Sequence, residues 1–120
     1  MLATDRNAAA RAAITEDYAK KNPNLVEQTR QRVLRAPISD EAYRRQLTAS
    51  LESHTHDRLS QISAPTLILH GRKDILFPPE NGRILAEAIP GARLVYLERS
   101  GHALLEELDE VISAVTGFLG

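Results

Sequence analysis

The amino-acid sequence predicts an α/β fold in which a small parallel sheet with flanking helices follows an all-helical segment. Two short apolar runs, residues 66–70 and 93–97, have the length of strands, and an amphipathic helical pattern separates them. Residues 1–55, in contrast, have the pattern of successive helices. Because a strand–helix–strand unit is normally parallel, we expect both strands to end at the same edge of the sheet.

The sequence of residues 1–55 predicts helices that carry few apolar residues. The first is expected to begin near Thr4 and to end by Asn22, with Ile14 and Tyr18 four positions apart on one face. Two more helices are expected, at residues 24–35 and from Ser39 to Leu51. Helices with so few apolar residues would cover a neighbouring core better than they would form one alone.

Residues 56–120 have the pattern of a small α/β core. The run at 66–70 is compact, with three consecutive apolar residues at its centre, and is consistent with a buried parallel strand. A short helical pattern spans residues 84–89. Apolar residues from Leu104 to Leu119 then recur at three- and four-residue spacing, which predicts a closing helix.

Asp74 and His102 directly follow the two predicted strands. Although they are far apart in sequence, the parallel arrangement is expected to bring them together at one edge of the sheet. A carboxylate that accepts the imidazole N–H fixes the tautomer of the histidine and stabilises its protonated form, while the other ring nitrogen can take a proton from a nucleophile or a water. The sequence therefore predicts the acid and the histidine of a nucleophile–histidine–acid triad.

These segments resemble the C-terminal portion of α/β-hydrolases. The stretch from Pro65 to Asp74 is similar to that family's strand-and-acid segment, and the stretch from Leu97 to His102 is similar to its histidine segment. Pro78-Pro79, the intervening helix and the closing helix also fall where the family has them. Family members carry nucleophile, acid and histidine in that chain order, so the resemblance implies catalytic roles for Asp74 and His102.

The resemblance also implies how the chain is divided and what it acts on. Residues 56–62 look like the lead-in from a cap domain, so residues 1–55 would be a cap- or lid-like segment and residues 56–120 the C-terminal part of the hydrolase core. The segments look most like those of small ester and lactone hydrolases, although haloperoxidase-like and dehalogenase-like members share them. The implied partner is a small-molecule ester or lactone, and the implied triad chemistry needs no cofactor.

The sequence departs from the family in the nucleophile. None of its serines stands in a Gly-x-Ser-x-Gly elbow, and no oxyanion loop is recognisable. Each preorganised oxyanion donor is typically worth about 2.7–4 kcal/mol in barrier height. We therefore expect the chain to be inactive by itself, as a hydrolase portion whose other half is lost or supplied by another chain. A non-catalytic oligomerisation or interaction module derived from a hydrolase is the alternative.

Other polar residues are interpreted as structural. The pair His54 and His56 has neither cysteines nor a carboxylate cluster beside it, so no metal site is expected. Ser100 shares a tight turn with His102, which is poor geometry for a nucleophile and its base. The remaining polar residues are interpreted as a strand-end packing residue with a minor pocket-lining role left open (His70), solvated loop charges (Arg72, Lys73) and acids that favour a helix N-terminus (Glu106, Glu107).

The composition limits the classes of partner. Lys and Arg number 15 against 16 Asp and Glu, which predicts neither nucleic-acid nor membrane binding. The chain has no cysteine and no apolar leader pattern at its start, which is compatible with a cytoplasmic location. In the family fold that the chain resembles, the strand at 66–70 has a further strand on its other side, and a bare edge there would favour pairing with a second copy. Alternatively, the helices of residues 1–55 would cover this edge, within one chain or by exchange between chains. A homo-oligomer, in particular a dimer, is expected.

Overall fold

The computed structural model describes residues 11–120, in which helices precede and flank a two-stranded parallel sheet. The order of elements along these residues is α1 (Glu16–Lys21), α2 (Pro23–Arg35), α3 (Asp40–Leu51), a 3-10 helix (His56–Gln61), β1 (Leu67–Gly71), α4 (Glu80–Ala88), β2 (Arg93–Leu97), a second 3-10 helix (Leu105–Glu107) and α5 (Leu108–Leu119). The α/β class and the small parallel sheet predicted from the sequence are confirmed.

The parallel pairing of β1 with β2 places the ends of both strands at one edge. Leu69 lies opposite Val95 and Gly71 lies opposite Leu97. The hydroxyl of Tyr96 on β2 donates a hydrogen bond at 3.0 Å to the carbonyl of Pro79, which precedes α4. The strand–helix–strand unit is therefore held together by the backbone pairing of β1 with β2 and by the side-chain contact between β2 and the segment that leads into α4.

Little apolar surface is fully buried around this sheet. Within residues 11–120, only Ile89 and Leu97 are buried apolar side chains, at 6% and 3% exposure. Gly82 lets α4 approach β1, since a Cβ at this position would lie 3.1 Å from Nδ1 of His70. The side chains that face the sheet are otherwise only half-buried, so the described residues have room for further packing.

The helices α2 and α3 follow the sequence prediction closely. Pro23 stands at the first position of α2, where its fixed φ and missing N–H are tolerated. Ser39 precedes α3, and its hydroxyl accepts a hydrogen bond from the amide of Ala42 at 3.2 Å. None of the residues of α1, α2 or α3 is buried.

The expected first helix differs from the structure. Its part at residues 4–10 lies outside the described residues, residues 11–12 are helical, and the chain then leaves the helix before α1 begins at Glu16. Thr15 is extended (φ −71°, ψ 154°) and caps α1, because its hydroxyl accepts a hydrogen bond from the amide of Tyr18. Ile14 therefore lies outside the helix, and the expected pairing of Ile14 with Tyr18 on one helix face is wrong.

The closing helix also begins later than its apolar pattern suggests. Leu104 has a left-handed backbone (φ 58°), a 3-10 turn covers Leu105–Glu107, and α5 begins at Leu108. The apolar residues along α5 remain markedly exposed: Leu108 at 50%, Ile112 at 52%, Val115 at 36% and Leu119 at 77%. Among the described helices, none combines the length and the apolar character needed to cross a bilayer.

Candidate active site

The structure brings Asp74 and His102 into direct contact. Nδ1 of His102 lies 2.8 Å from Oδ2 of Asp74, a distance typical of a charge-assisted hydrogen bond. Since an ionised carboxylate can only accept, Nδ1 carries the proton in this contact. The geometric part of the sequence prediction, a meeting of the two side chains beyond the ends of parallel strands, is confirmed; their catalytic roles stay a prediction.

Asp74 is held as a buried carboxylate. Its side chain is 4% exposed, and Oδ1 accepts hydrogen bonds from the amides of Leu76 at 2.8 Å and Phe77 at 2.9 Å. Burial by itself raises the pKa of Asp74, but the amide of Phe77, the imidazole of His102 and the amide of Leu76 together outweigh it, so the pKa lies below its usual value. The acid is therefore ionised and fixed in orientation at neutral pH.

The two loops meet because the end of β1 has no side chain. A Cβ on Gly71 would lie 2.3 Å from the carbonyl oxygens of Ser100 and Gly101. The close approach lets the amide of Lys73 donate to the carbonyl of Ser100 at 3.0 Å. The backbone of residue 73, next to Asp74, is thus tied to the backbone two residues before His102.

His102 is more accessible than its partner. Its side chain is 41% exposed, and its ring lies 5.3 Å from the ring of Phe77, tilted by 31°. Within the part of the chain that the structure describes, Nε2 of His102 has no hydrogen-bond partner. One ring nitrogen is therefore occupied by the acid, whereas the other is free to exchange a proton with an incoming group.

His70 is a second imidazole beside Asp74. Its side chain is 12% exposed, and Nε2 lies 3.1 Å from the carbonyl of Phe77 and 3.4 Å from Oδ2 of Asp74. Since a carbonyl accepts, Nε2 of His70 is the donor. The sequence interpretation as a packing residue was therefore incomplete, because His70 also holds the loop that bends around the acid. Its position at the end of the strand that precedes Asp74 was the signal for this role.

Ser100 and Glu107 form a buried polar pair behind the histidine loop. Ser100 is fully buried, and its hydroxyl donates to Oε2 of Glu107 at 2.7 Å. The amide of Arg99 donates to the same oxygen at 2.8 Å. Burial raises the pKa of Glu107, but the Ser100 hydroxyl and the amide and guanidinium of Arg99 lower it below its usual value. The serine is therefore committed to a structural contact, in agreement with its exclusion as a nucleophile.

Two interpretations of charged residues need correction. Glu106 and Glu107 were assigned to the dipole of the closing helix, but Glu107 binds back to residues 99 and 100, and Oε1 of Glu106 accepts the amide of Thr15 at 2.7 Å. Arg72 is not simply solvated, because its guanidinium lies 3.4 Å above the ring of Tyr96 and 3.2 Å from Glu98. No sequence signal pointed to these contacts between distant segments.

The histidine pair His54 and His56 lies elsewhere, in a shallow open depression with a volume of about 390 Å³ that Leu85 also lines. The imidazole of His56 lies 3.9 Å from Asp57, and both side chains are largely exposed. Among residues 11–120, no three His, Asp or Glu side chains are arranged to hold a metal ion. Neither Asp74 nor His102 lines this depression, so it is separate from the candidate active site.

The sequence matches the profile of the family described as alpha/beta hydrolase fold over residues 3–108. The chain is 36% identical over 85 residues to the "Putative carbamate hydrolase RutD" of Pseudomonas syringae pv. syringae, covering 71% of this chain and 32% of that protein. It is 34% identical over 93 residues to the rhodomycin D methylesterase DauP of Streptomyces sp. (strain C5), covering 63% of this chain and 31% of that protein.

The crystal structure of the enol-lactonase from Burkholderia xenovorans LB400 has the same fold over this region. It superposes with a TM-score of 0.83 at 28% identity, over 94% of this chain and 43% of that one. The chain thus spans about a third of the length of the two sequence relatives and less than half of the enol-lactonase. Both the profile match and the shared fold lead to one assignment: the chain belongs to the α/β-hydrolase fold family.

Proposed function

We propose that the chain provides the acid and the histidine of a hydrolase active site of the ester and lactone type. Asp74 orients His102, and His102 acts as the general base and then the general acid. The nucleophile comes from a Gly-x-Ser-x-Gly elbow that these 120 residues do not contain. Residues 1–55 act as the cap- or lid-like segment over this site, and residues 56–120 form the C-terminal part of the core.

The proposed mechanism follows from the two ring nitrogens of His102. Nε2 accepts the proton of the nucleophile's hydroxyl as the hydroxyl oxygen attacks the substrate carbonyl, and the imidazolium then donates that proton to the leaving group. Asp74 stays ionised, since its pKa lies below its usual value. Its carboxylate stabilises the imidazolium through the 2.8 Å contact with Nδ1.

The observation that carries this proposal is the asymmetry of the acid–histidine pair. The acid side chain is 4% exposed and accepts three hydrogen bonds, whereas the histidine is 41% exposed with a free Nε2 among the described residues. A purely structural ion pair has no need for one partner to present an unoccupied titratable nitrogen to the surface. The names of the methylesterase and the enol-lactonase support an ester or lactone as the substrate class, and the name of RutD extends it to carbamates.

A chimera tests the proposed roles. Residues 11–120 replace the matching part of the Burkholderia enol-lactonase, so that the relative supplies the elbow. We expect hydrolysis of p-nitrophenyl acetate by the chimera, reduced about 10⁶-fold in kcat by His102→Ala, as for loss of a triad histidine. Asp74→Asn should cost less, about 10⁴-fold in kcat, since the wrong tautomer of His102 is favoured. A folded, active chimera that is indifferent to His102→Ala would refute the proposal.

The 120-residue chain alone is expected to show no saturable hydrolysis of p-nitrophenyl acetate. Neither a nucleophile elbow nor an oxyanion loop is recognisable in its sequence. Background turnover should therefore be the same for the parent chain and for His102→Ala, measured at equal protein concentration. Saturable turnover that disappears in a folded His102→Ala variant would show that this chain supplies its own nucleophile or activates water directly.

A non-catalytic association module is the second candidate, and the exposed apolar stripe of α5 favours it. Leu108, Ile112 and Leu119 are each at least half exposed, and within the described residues β1 pairs on one side only. A dimer would cover both features.

Light scattering coupled to size-exclusion chromatography decides between a dimer and a 13.3 kDa monomer. Ile112→Glu should abolish a dimer that uses the stripe, whereas Thr66→Lys tests the strand edge. A cytoplasmic location stays a prediction.

A further inference from the structure

The segment that precedes α1 is hydrogen-bonded to the loop that carries His102. The carbonyl of Ala13 accepts the amide of Ala103 at 2.7 Å. The amide of Thr15 donates to Oε1 of Glu106 at 2.7 Å, a contact between residues 91 positions apart. Both contacts lie on the C-terminal side of His102. In the first the loop is the hydrogen-bond donor, and in the second the segment is the donor.

The same segment also packs on the N-terminal side of His102. A Cβ on Gly101 would lie 3.1 Å from the carbonyl oxygen of Ala13 and 3.3 Å from Cα of Ile14. A larger residue at 101 would therefore push the segment away. Contacts at residues 101, 103 and 106 thus place the segment against both sides of His102.

The histidine loop contains a strained backbone conformation at Leu104, which these contacts help to impose. Leu104 has a φ of 58°, a left-handed conformation that costs a non-glycine residue free energy and persists only where surrounding contacts impose it. The contacts of Ala103, directly before Leu104, and of Glu106, two residues after it, lie on either side of this position. On the other side, the loop is tied to the acid loop through the amide of Lys73 and the carbonyl of Ser100.

We propose that Thr15 and Glu106 are positioning residues for His102: their hydrogen bond holds the histidine loop in the conformation that keeps Nδ1 on Asp74. Neither residue touches the imidazole, so their action runs through the backbone of residues 101–106. The proposed cap-like segment is thereby part of the support of the acid–histidine pair and not only a cover. This inference gains its functional meaning from the proposed role of His102.

The hydrogen bond can be removed from the Thr15 side without altering Glu106. Thr15 has a φ of −71°, which is compatible with proline, and proline has no amide N–H. Thr15→Pro therefore removes the donor, and also removes the hydroxyl that caps α1. Thr15→Ala is the matched control, because it removes the same hydroxyl but keeps the N–H.

The readouts are the amide exchange rate of Ala103 and the downfield resonance of the Nδ1 proton of His102, both measured by NMR on the 120-residue chain. In Thr15→Pro we expect Ala103 to exchange roughly tenfold faster, the factor that corresponds to loss of about one hydrogen bond's stabilisation. The Nδ1 resonance should broaden or disappear. Thr15→Ala should leave both readouts at their parent values and increase exchange only within α1.

Glu106 gives an independent pair of variants should Thr15→Pro fail to fold. Glu106→Ala removes the acceptor and is expected to reproduce the loosened loop, whereas Glu106→Gln keeps an acceptor oxygen and is expected to restore the parent values. Parent-like Ala103 exchange and Nδ1 resonance in a folded Thr15→Pro or Glu106→Ala variant would overturn the proposal. So would a Glu106→Gln variant as loose as Glu106→Ala.

Failure of this inference is distinguishable from failure of the proposed function. The NMR readouts need no nucleophile and no substrate, so they report on positioning even if the chain never takes part in hydrolysis. Conversely, a chimera that loses activity in His102→Ala but keeps parent kinetics in Glu106→Ala would retain the hydrolase role and reject the positioning role.

Discussion

The helices of residues 16–51 and the α/β unit of residues 67–119 are ordered by different kinds of contact. The helices are fixed locally, for example by the hydroxyl caps of Thr15 and Ser39, and they contain no buried residue. The α/β unit instead contains the buried polar groups of the described chain, Asp74, Ser100 and Glu107. Local contacts set where an element lies along the chain, whereas the long-range polar contacts set where two loops meet.

This difference predicts that substitutions in the α/β unit are far more damaging than those in the helices, and the largest effect is expected for Gly71→Ala. A Cβ there would lie 2.3 Å from two backbone oxygens, so the 71–74 and 100–102 loops must separate. We expect a loss of about 3 kcal/mol in the free energy of unfolding, measured by urea denaturation.

Gly117→Ala is the matched control for that substitution. Gly117 lies in α5, and a Cβ there meets nothing within 4 Å. The helix propensity of alanine should then stabilise the chain by roughly 0.5–1 kcal/mol. Equal effects of the two substitutions would contradict the close approach of the two loops.

A smaller effect, with a pH dependence, is expected for Glu107→Gln. Loss of a charged acceptor that serves Ser100 and Arg99 should cost about 1–3 kcal/mol at pH 7. Because the folded pKa of Glu107 lies below its usual 4.5, the carboxylate stabilises the fold above that pH, and the contribution is lost as the pH falls through the folded pKa.

The cost of Glu107→Gln should therefore shrink in acid, which denaturation at pH 7 and at pH 3 would reveal. Glu41→Gln is the comparison variant, since the Glu41 side chain is 81% exposed in its pair with Arg45. Its effect should stay within about 0.5 kcal/mol. A cost for Glu107→Gln that is the same at both pH values would argue against a carboxylate with a lowered pKa.

The smallest effect is expected for Glu27→Ala in α2. Its carboxylate pairs with Arg30 and accepts from Gln31, and these contacts lower the pKa of Glu27 to about 2. The pair is solvated, so the thermal unfolding midpoint should not change measurably in 0.15 M salt. A clear drop in the midpoint would show that the helical region depends on its surface charges more than its geometry suggests.

The same contrast explains how much could be predicted from the sequence. Helices α2 and α3, both strands and the meeting of Asp74 with His102 follow from periodicity, capping and the parallel connection, which are local or topological rules. The break before α1 and the late start of α5 were missed, and both occur where the chain makes long-range contacts. The amide of Thr15 donates a hydrogen bond to Glu106, and Glu107 accepts one from the hydroxyl of Ser100.

The central claim is that Asp74 orients His102 through its Nδ1 proton, and 15N-edited NMR of the His102 imidazole in the 120-residue chain tests it most directly. The account predicts a protonated Nδ1 with a downfield proton resonance at neutral pH, lost in Asp74→Ala and unchanged in the distant control Glu41→Gln. An imidazole that populates both tautomers as in a free peptide, and that does not respond to Asp74→Ala, would contradict it.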